Sequence, residues 1–236
     1  MQQADAELRH PPEVTFLERT QMTEALLLSY KALPEVQPSA LRAEAVDTID
    51  LPRPDIEAGA PLMAALSRRK SQRTFSEAAL PAAVLGEVLW AANGINRPET
   101  GGRTAPSAHA FNEIDVYAAL PGGVYRYDPQ GHRLILKHAV DARNLTGYQD
   151  FVGTAPLDLV YVVKMSRLLE MPSQQRETFS AVAAGCISQN VSLYCASAEL
   201  ATVVRGWINH RQLADALRLN EDELPILAQT IGKPAL

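Results

Sequence analysis

Leu157-Asp158-Leu159-Val160-Tyr161-Val162-Val163, together with the long run over residues 175–200, decides the fold class. The first stretch is short, continuous and apolar, and rich in β-branched residues. That is the pattern of a strand covered on both faces, and so central in a sheet. The second carries Phe179, Val182, Ala183, Cys186, Ile187, Asn190, Val191 and Tyr194 at helical spacing and is apolar nearly all round. It predicts a long, central, buried helix. Cys186 and Cys195 lie nine residues apart, about 900° of helix rotation, so they face opposite ways and cannot pair within it.

Working upstream, Ile114, Val116, Ala118 and Leu120 alternate as in a half-buried strand, and Gly122-Gly123 turns into a second strand at Val124-Tyr125-Arg126-Tyr127. Asp128-Pro129-Gln130-Gly131 turns again, into a short strand over 133–137. Two helices are expected before these strands. One covers Leu62, Met63, Ala65 and Leu66 and ends at Arg68-Arg69. The other runs from Pro81, in its first turn, to Asn93, with Gly94 after its end. Residues 94–112 read as a long loop rich in Gly, Pro, Arg and Ser, and loops of that length are functional or disordered. Downstream, 209–219 predicts a helix, 221–224 a short one, and 230–232 a final strand. Helices and strands mix without a regular βαβ alternation. The expectation is therefore α+β, with a mixed or mostly antiparallel sheet flanked by helices.

The first 57 residues differ from the rest. Residues 1–12 are polar, 13–33 read as an amphipathic helix closed by Pro34 and Pro38, and 46–61 read as a linker or wrapping segment with Pro52, Pro54, Gly59 and Pro61. Residues 1–57 carry 11 acids and 5 bases, whereas 58–236 carry 16 acids and 17 bases. The division expected is an acidic arm over 1–57 and a near-neutral domain over 58–236.

Composition narrows the class. The chain has 236 residues, 47% hydrophobic and 21% charged, as in ordinary globular proteins. A net charge of −5 disfavours general nucleic-acid binding, which needs a basic footprint. Two cysteines exclude a disulfide framework. No stretch approaches the ~20 apolar residues of a membrane span, and no basic-then-apolar leader opens the chain. A cytoplasmic protein is expected.

The sequence lacks G-x-S-x-G, G-x-x-x-x-G-K-[ST] and a G-x-G-x-x-G after a strand. Its five histidines show no metal-ligand spacing. Three features remain. Arg68-Arg69-Lys70-Ser71-Gln72-Arg73 gathers four cations and a serine, either a phosphate site or a solvated helix end. Thr104-Ala105-Pro106-Ser107-Ala108-His109-Ala110-Phe111-Asn112 is a loop of small residues, either able to approach a planar ligand or an ordinary surface loop. Val204-Arg205-Gly206-Trp207 either presents backbone to a ring system or connects the long helix to a strand.

In this order the three features resemble the FMN-dependent nitroreductase family, and within it the SagB-type dehydrogenase branch. Arg68-Arg69-Lys70-Ser71-Gln72-Arg73-Thr74-Phe75 is similar to the family's R-R-x-S-x-R-x-F start. Leu89-Trp90-Ala91-Ala92-Asn93-Gly94 is similar to its L-L-W-A-A-x-G segment, Ala105-Pro106-Ser107-Ala108 to its A-P-S-A loop, and Gln189-Asn190 to its Q-N pair. The resemblance covers roughly 58–233. It implies an intertwined homodimer with FMN at the interface. Arg69, Lys70, Ser71 and Arg73 would hold the phosphate and ribityl chain, and Lys233 would add a phosphate contact. Gln149 would meet the ribityl chain or pyrimidine edge. Val204, Arg205 and Gly206 would line the ring edge, and Pro106, Ser107 and Ala108 would cover the ring from the partner subunit.

The activity implied is ping-pong electron transfer from NADH or NADPH to a nitroaromatic, quinone or similar acceptor. The alternatives are a SagB-like oxidation of azoline rings to azoles in a peptide, and a non-catalytic flavin-binding dimer. Two residues depart from the family pattern. Arg205 would place a cation beside the flavin edge and raise its potential, and His109 stands where Gly or Asn is common. The acidic segment 13–57 is expected to wrap the partner.

Overall fold

A computed structural model describes residues 47–235, all within the unit Val36–Leu236. The amphipathic helix expected over 13–33 lies outside the described residues. Nine strands and four α-helices follow in the order β1 (Thr48–Asp50), α1 (Leu62–Arg68), α2 (Ala82–Asn93), β2 (Ile95–Arg97), β3 (Gly102–Arg103), β4 (Ile114–Leu120), β5 (Gly123–Asp128), β6 (Arg133–His138), β7 (Leu157–Lys164), α3 (Ser173–Ser197), β8 (Ala201–Arg205), α4 (His210–Ala216) and β9 (Glu223–Gly232). Seven strands form one antiparallel sheet in the order β1-β6-β5-β4-β7-β9-β8. The mixed helices and antiparallel sheet are the α+β arrangement expected.

β7 is central because both its faces are apolar. Leu157, Leu159, Tyr161 and Val163 enter the larger core beneath α2 and α3. Val160 and Val162 face the opposite way, into a second core with Ile208, Leu213 and Leu217. Side chains alternate along a strand, so one run that is apolar but for Asp158 feeds two layers. The helices α2 and α3 cover one face of the sheet, and α4 covers the other.

The long helix spans Ser173–Ser197 and buries Ala183, Ala184, Ile187, Val191 and Cys195. These mostly small side chains let it lie close on the sheet. It is buried on one side only: Phe179 and Val182 are exposed, because no described element of this chain covers its outer face. No helix among the described residues is long and apolar enough to cross a membrane.

Three further expectations need correction. The segment over 221–224 is not a short helix. Glu223 already begins the ten-residue strand β9. Pro225 disguised it, since proline lacks the N–H a ladder needs. The register shift opposite Tyr161 and Val162 absorbs that proline. The stretch 94–112 is not one open loop, because β2 and β3 pair within it. The linker over 46–61 contains β1, which pairs with β6 of the same chain.

β1 continues into a clasp on the sheet edge. Leu51 N donates to His132 O at 3.1 Å, and Pro52 O lies 2.8 Å from His132 Nε2. His132 Nδ1 in turn meets Tyr127 Oη at 2.8 Å. The helix α2 presses on this clasp at Gly86, where a Cβ would lie 2.7 Å from Pro52 O. Gly86→Ala sets two effects against each other. Helix propensity favours alanine by about 1 kcal/mol, whereas forcing a backbone carbonyl aside costs about 1–3 kcal/mol. The expected outcome is a net loss of about 1 kcal/mol in urea unfolding, and a gain in stability would contradict the clasp.

Candidate functional site

α1 ends at Arg68, and Arg69 N closes it on Ala65 O at 2.9 Å. The chain then runs as an extended strap across the ends of β8 and β9. Gln72 N donates to Thr202 O at 2.9 Å, Ser76 N donates to Lys233 O at 2.8 Å, and Phe75 forms a bridge with Pro234. Phe75 is buried beside Ala155, Ala201 and Val203, and its ring lies 5.3 Å from that of Phe151. Backbone bonds and one aromatic anchor therefore fix the strap, which leaves its polar side chains outside.

Arg69, Lys70, Ser71 and Arg73 are all exposed on the strap, and Lys233 is exposed beside it. Among the described residues, no carboxylate forms an ion pair with any of these four cations. Like charges held together without a counter-charge favour a bound anion, and an Arg fork suits phosphate in particular.

Below the strap, β8 alternates. Ala201, Val203 and Arg205 point inward, and Val204 points out. Among the described residues, no further strand pairs with the outer edge of β8. Arg205 is 6% exposed, and both terminal nitrogens of its guanidinium are engaged, whereas its buried Nε has no partner. Its Nη2 donates to Asp158 Oδ1 at 2.6 Å, to Thr230 Oγ1 at 2.8 Å and to Thr146 Oγ1 at 3.1 Å, and Nη1 donates to Thr146 O. The cation at position 205 is thus paired inside the protein, and Val204, Gly206 and Trp207 are what this edge shows to solvent. Burial pushes the Asp158 carboxyl up to about 6, against the opposing pull of Arg205.

A second buried pair, Arg143 with Asp141 at 2.7 Å, also carries a bond from Arg143 Nη1 to Ala155 O at 2.7 Å. The loop between Thr146 and Ala155 is therefore pinned at each end by a buried guanidinium. Gln149 lies on it, with Oε1 buried and lacking a partner. At Gly147, an added Cβ would collide with Arg205 Nη1 and come within 2.6 Å of Gln149 Oε1. Phe151 joins this loop to the strap, meeting Phe75 on one side and lying 5.9 Å from the Arg205 guanidinium on the other. Gln149, Val204, Arg205 and Gly206 thus border the strap carrying Arg69, Lys70, Ser71, Arg73 and Lys233.

Pro106, Ser107 and Ala108 are not brought to it. Their loop leads into Ile114, which pairs with Val163, whereas Gln72 lies beside Thr202, at the level of Ile231 and Leu157. Six residues along β7 and three strand spacings across the sheet separate them, roughly 20 Å by 14 Å. The sequence reading also missed several residues that shape the site. Asp158 was visible as the one charge in an apolar strand, whereas Asp141, Arg143, Thr146, Thr230 and Glu113 carried no local signal. Among the described residues no cluster of His, Cys, Asp and Glu could hold a metal ion.

The chain matches the model of the nitroreductase family over residues 66–233. It is similar to the crystal structure of a candidate nitroreductase from Ralstonia eutropha, with 55% identity and a TM-score of 0.83. The match covers 86% of this chain and 97% of that one. Two more distant structures share the fold. One is the E. coli microcin synthetase complex with truncated pro-MccB17 bound, at 17% identity and TM-score 0.63, covering 95% of this chain and 96% of that one. The other is the NADPH:FMN oxidoreductase from Vibrio harveyi complexed with NAD+, at 18% identity and TM-score 0.55, covering 74% and 69%. No curated protein matches the chain.

The Arg205 network makes a prediction. Arg205→Ala leaves the Asp158 carboxylate buried without its cation, which costs about 3–5 kcal/mol at neutral pH. A carboxyl raised in the folded state favours folding more as pH falls through its folded value. Without Arg205 the Asp158 value rises further above about 6. Urea unfolding at pH 7.5 and pH 5.5 should therefore show a smaller loss at the lower pH. Equal losses at both would contradict the pairing.

Proposed function

The chain belongs to the nitroreductase family, a family of oxidoreductases, and from that membership we propose that it binds FMN and carries electrons from NADH or NADPH to a nitroaromatic, quinone or similar acceptor. One observation carries this reading: four cations with no carboxylate partner among the described residues, held by backbone bonds beside the outer edge of β8.

The donor set fits a flavin mononucleotide. Arg69, Lys70, Arg73 and Lys233 offset the phosphate charge, and Ser71 adds a hydroxyl donor. Gln149 Oε1, buried and unpartnered, is an acceptor for a ring N–H or a ribityl hydroxyl. Leaving such a group unpaired costs about 1–3 kcal/mol, which a ligand donor recovers. The backbone of Val204, Arg205 and Gly206 follows the outer edge of β8, where an N–H would favour the reduced anion. The chemistry such a cofactor supplies is two-electron transfer in two half-reactions, the nicotinamide leaving before the acceptor enters.

No protein acid or nucleophile is required, and Cys195, the buried thiol, is pushed up to about 12 by burial and stays inert. Pro106, Ser107 and Ala108, remote from the strap of their own chain, cover the ring of a second copy. The site is therefore completed by a homodimer. Because Arg205 is neutralised by Asp158, its influence on the flavin potential is small, and positioning of the edge is its main effect.

Purified protein is expected to be yellow or to take up added FMN, and NADH or NADPH should bleach it in stopped flow. Bleaching by an azoline-bearing peptide instead would assign a peptide-maturing dehydrogenase. Protein that ignores FMN would overturn both. Arg69→Ala and Arg73→Ala should each weaken FMN retention by roughly 10- to 100-fold, since each removes a charge-assisted bond worth about 1.5–3 kcal/mol. Unchanged retention in both would place the phosphate elsewhere.

A further inference from the structure

Glu113 precedes β4 and is 1% exposed. Its Oε2 accepts the Ser107 hydroxyl proton at 2.5 Å, and its Oε1 is buried without a partner. Ser107 Oγ, its proton committed, accepts from Asn112 N at 2.9 Å. The residues enclosed by this bond are conformationally costly. His109, Ala110 and Asn112 have φ of 50°, 55° and 48°. Left-handed backbone costs an alanine about 1–2 kcal/mol, and such strain persists only where the surroundings over-determine it.

The surroundings do so here. Ala110 N and Phe111 N donate back to Ser107 O and Ala108 O, at 3.2 and 3.0 Å. Arg167 Nη1 donates to Asn112 O at 2.7 Å and is itself held by Asp115. Lys164 N donates to Glu113 O at 2.8 Å, tying the buried acid to the end of β7. The bonds from Ala110 N, Phe111 N and Asn112 N to Ser107 and Ala108 are internal to the turn, and those of Arg167 and Lys164 fix its far side. Among the described residues, the Ser107–Glu113 bond is the one side-chain bond that ties the near side, at Pro106, Ser107 and Ala108, to the start of β4.

We propose that Glu113 is a positioning residue for the loop of Pro106, Ser107 and Ala108. By taking the Ser107 proton it converts that hydroxyl into a cap for Asn112, so the loop presents backbone and small side chains, and no hydroxyl donor, to what it covers. This rests on the flavin reading above for its functional consequence, but not for its structural one. The acceptor at position 113 is what matters, so glutamine serves in place of glutamate and alanine does not.

The test uses the full chain with Glu113→Ala, Ser107→Ala, the double variant and Glu113→Gln. Two quantities are read: amide hydrogen exchange over residues 107–112, with and without FMN, and FMN affinity by fluorescence quenching. Exchange at Asn112 in the free protein should rise at least tenfold in Glu113→Ala and in Ser107→Ala. FMN affinity should fall about tenfold in each, with the double variant no worse than the weaker single one, as for two members of one interaction. Glu113→Gln should stay within threefold of the native protein in both readouts. Additive losses, or unchanged exchange in Glu113→Ala, would overturn the proposal. Faster exchange with unchanged FMN affinity, where Arg73→Ala does lose FMN, would also overturn it while leaving the flavin reading intact. If the native protein takes up no FMN, the flavin reading fails, and the exchange data alone then decide whether Glu113 holds the loop.

Discussion

Burying a guanidinium is tolerable only where a carboxylate answers the charge and most of its donors find acceptors. Arg205 sets both terminal nitrogens on Asp158, Thr146 and Thr230, which come from three separate parts of the chain, and only its buried Nε lacks a partner. Asp158 belongs to the central strand, Thr230 to its neighbour β9, and Thr146 to the loop carrying Gln149. The one cation therefore joins β7, β8 and β9 side by side and fixes the near end of that loop. Arg143 does the same at the far end, through Asp141 and the Ala155 carbonyl. Phe151, suspended between the two, supplies the surface on which Phe75 and the basic strap rest. The position of the exposed cations thus traces back to a cation that is not exposed at all.

The two kinds of charge have opposite work. Arg205 and Arg143 are paired inside and organise the backbone. Arg69, Lys70, Arg73 and Lys233 stay outside, without a carboxylate partner among the described residues, and main-chain bonds with the buried Phe75 ring tie the strap. Such a strap is organised before a ligand arrives, so little ordering entropy is lost on binding. The net charge of −5 hides this arrangement, because the excess of acids over bases lies before residue 58, with 11 acids against 5 bases.

What the sequence made legible was whatever is local. The apolar run of β7, the spacing of α3 and the cluster over 68–73 each declare themselves within a few residues. β9 did not, since Pro225 interrupts its pattern and only the bulge opposite Tyr161 and Val162 makes room for it. The one-sided burial of α3 was equally hidden, for an all-round apolar helix looks the same whichever face this chain covers. The Arg205 pair spans 47 residues of sequence and the Arg205–Thr146 bonds span 59, so no local pattern could join them. Glu113 read as one more polar residue beside Asn112, although its carboxyl is among the most buried in the chain. Site residues defined by type were legible in this way, whereas the groups that hold them in place were not.

The central claim is that the strap cations recognise a phosphate. The most direct measurement compares FMN with riboflavin, which differs only in lacking that group, by titration calorimetry at low and high salt. Two or more charge-assisted bonds predict that FMN binds roughly 100-fold tighter or more, with the gap narrowing as salt screens the cations. Equal affinities for the two, or a gap indifferent to salt, would contradict it.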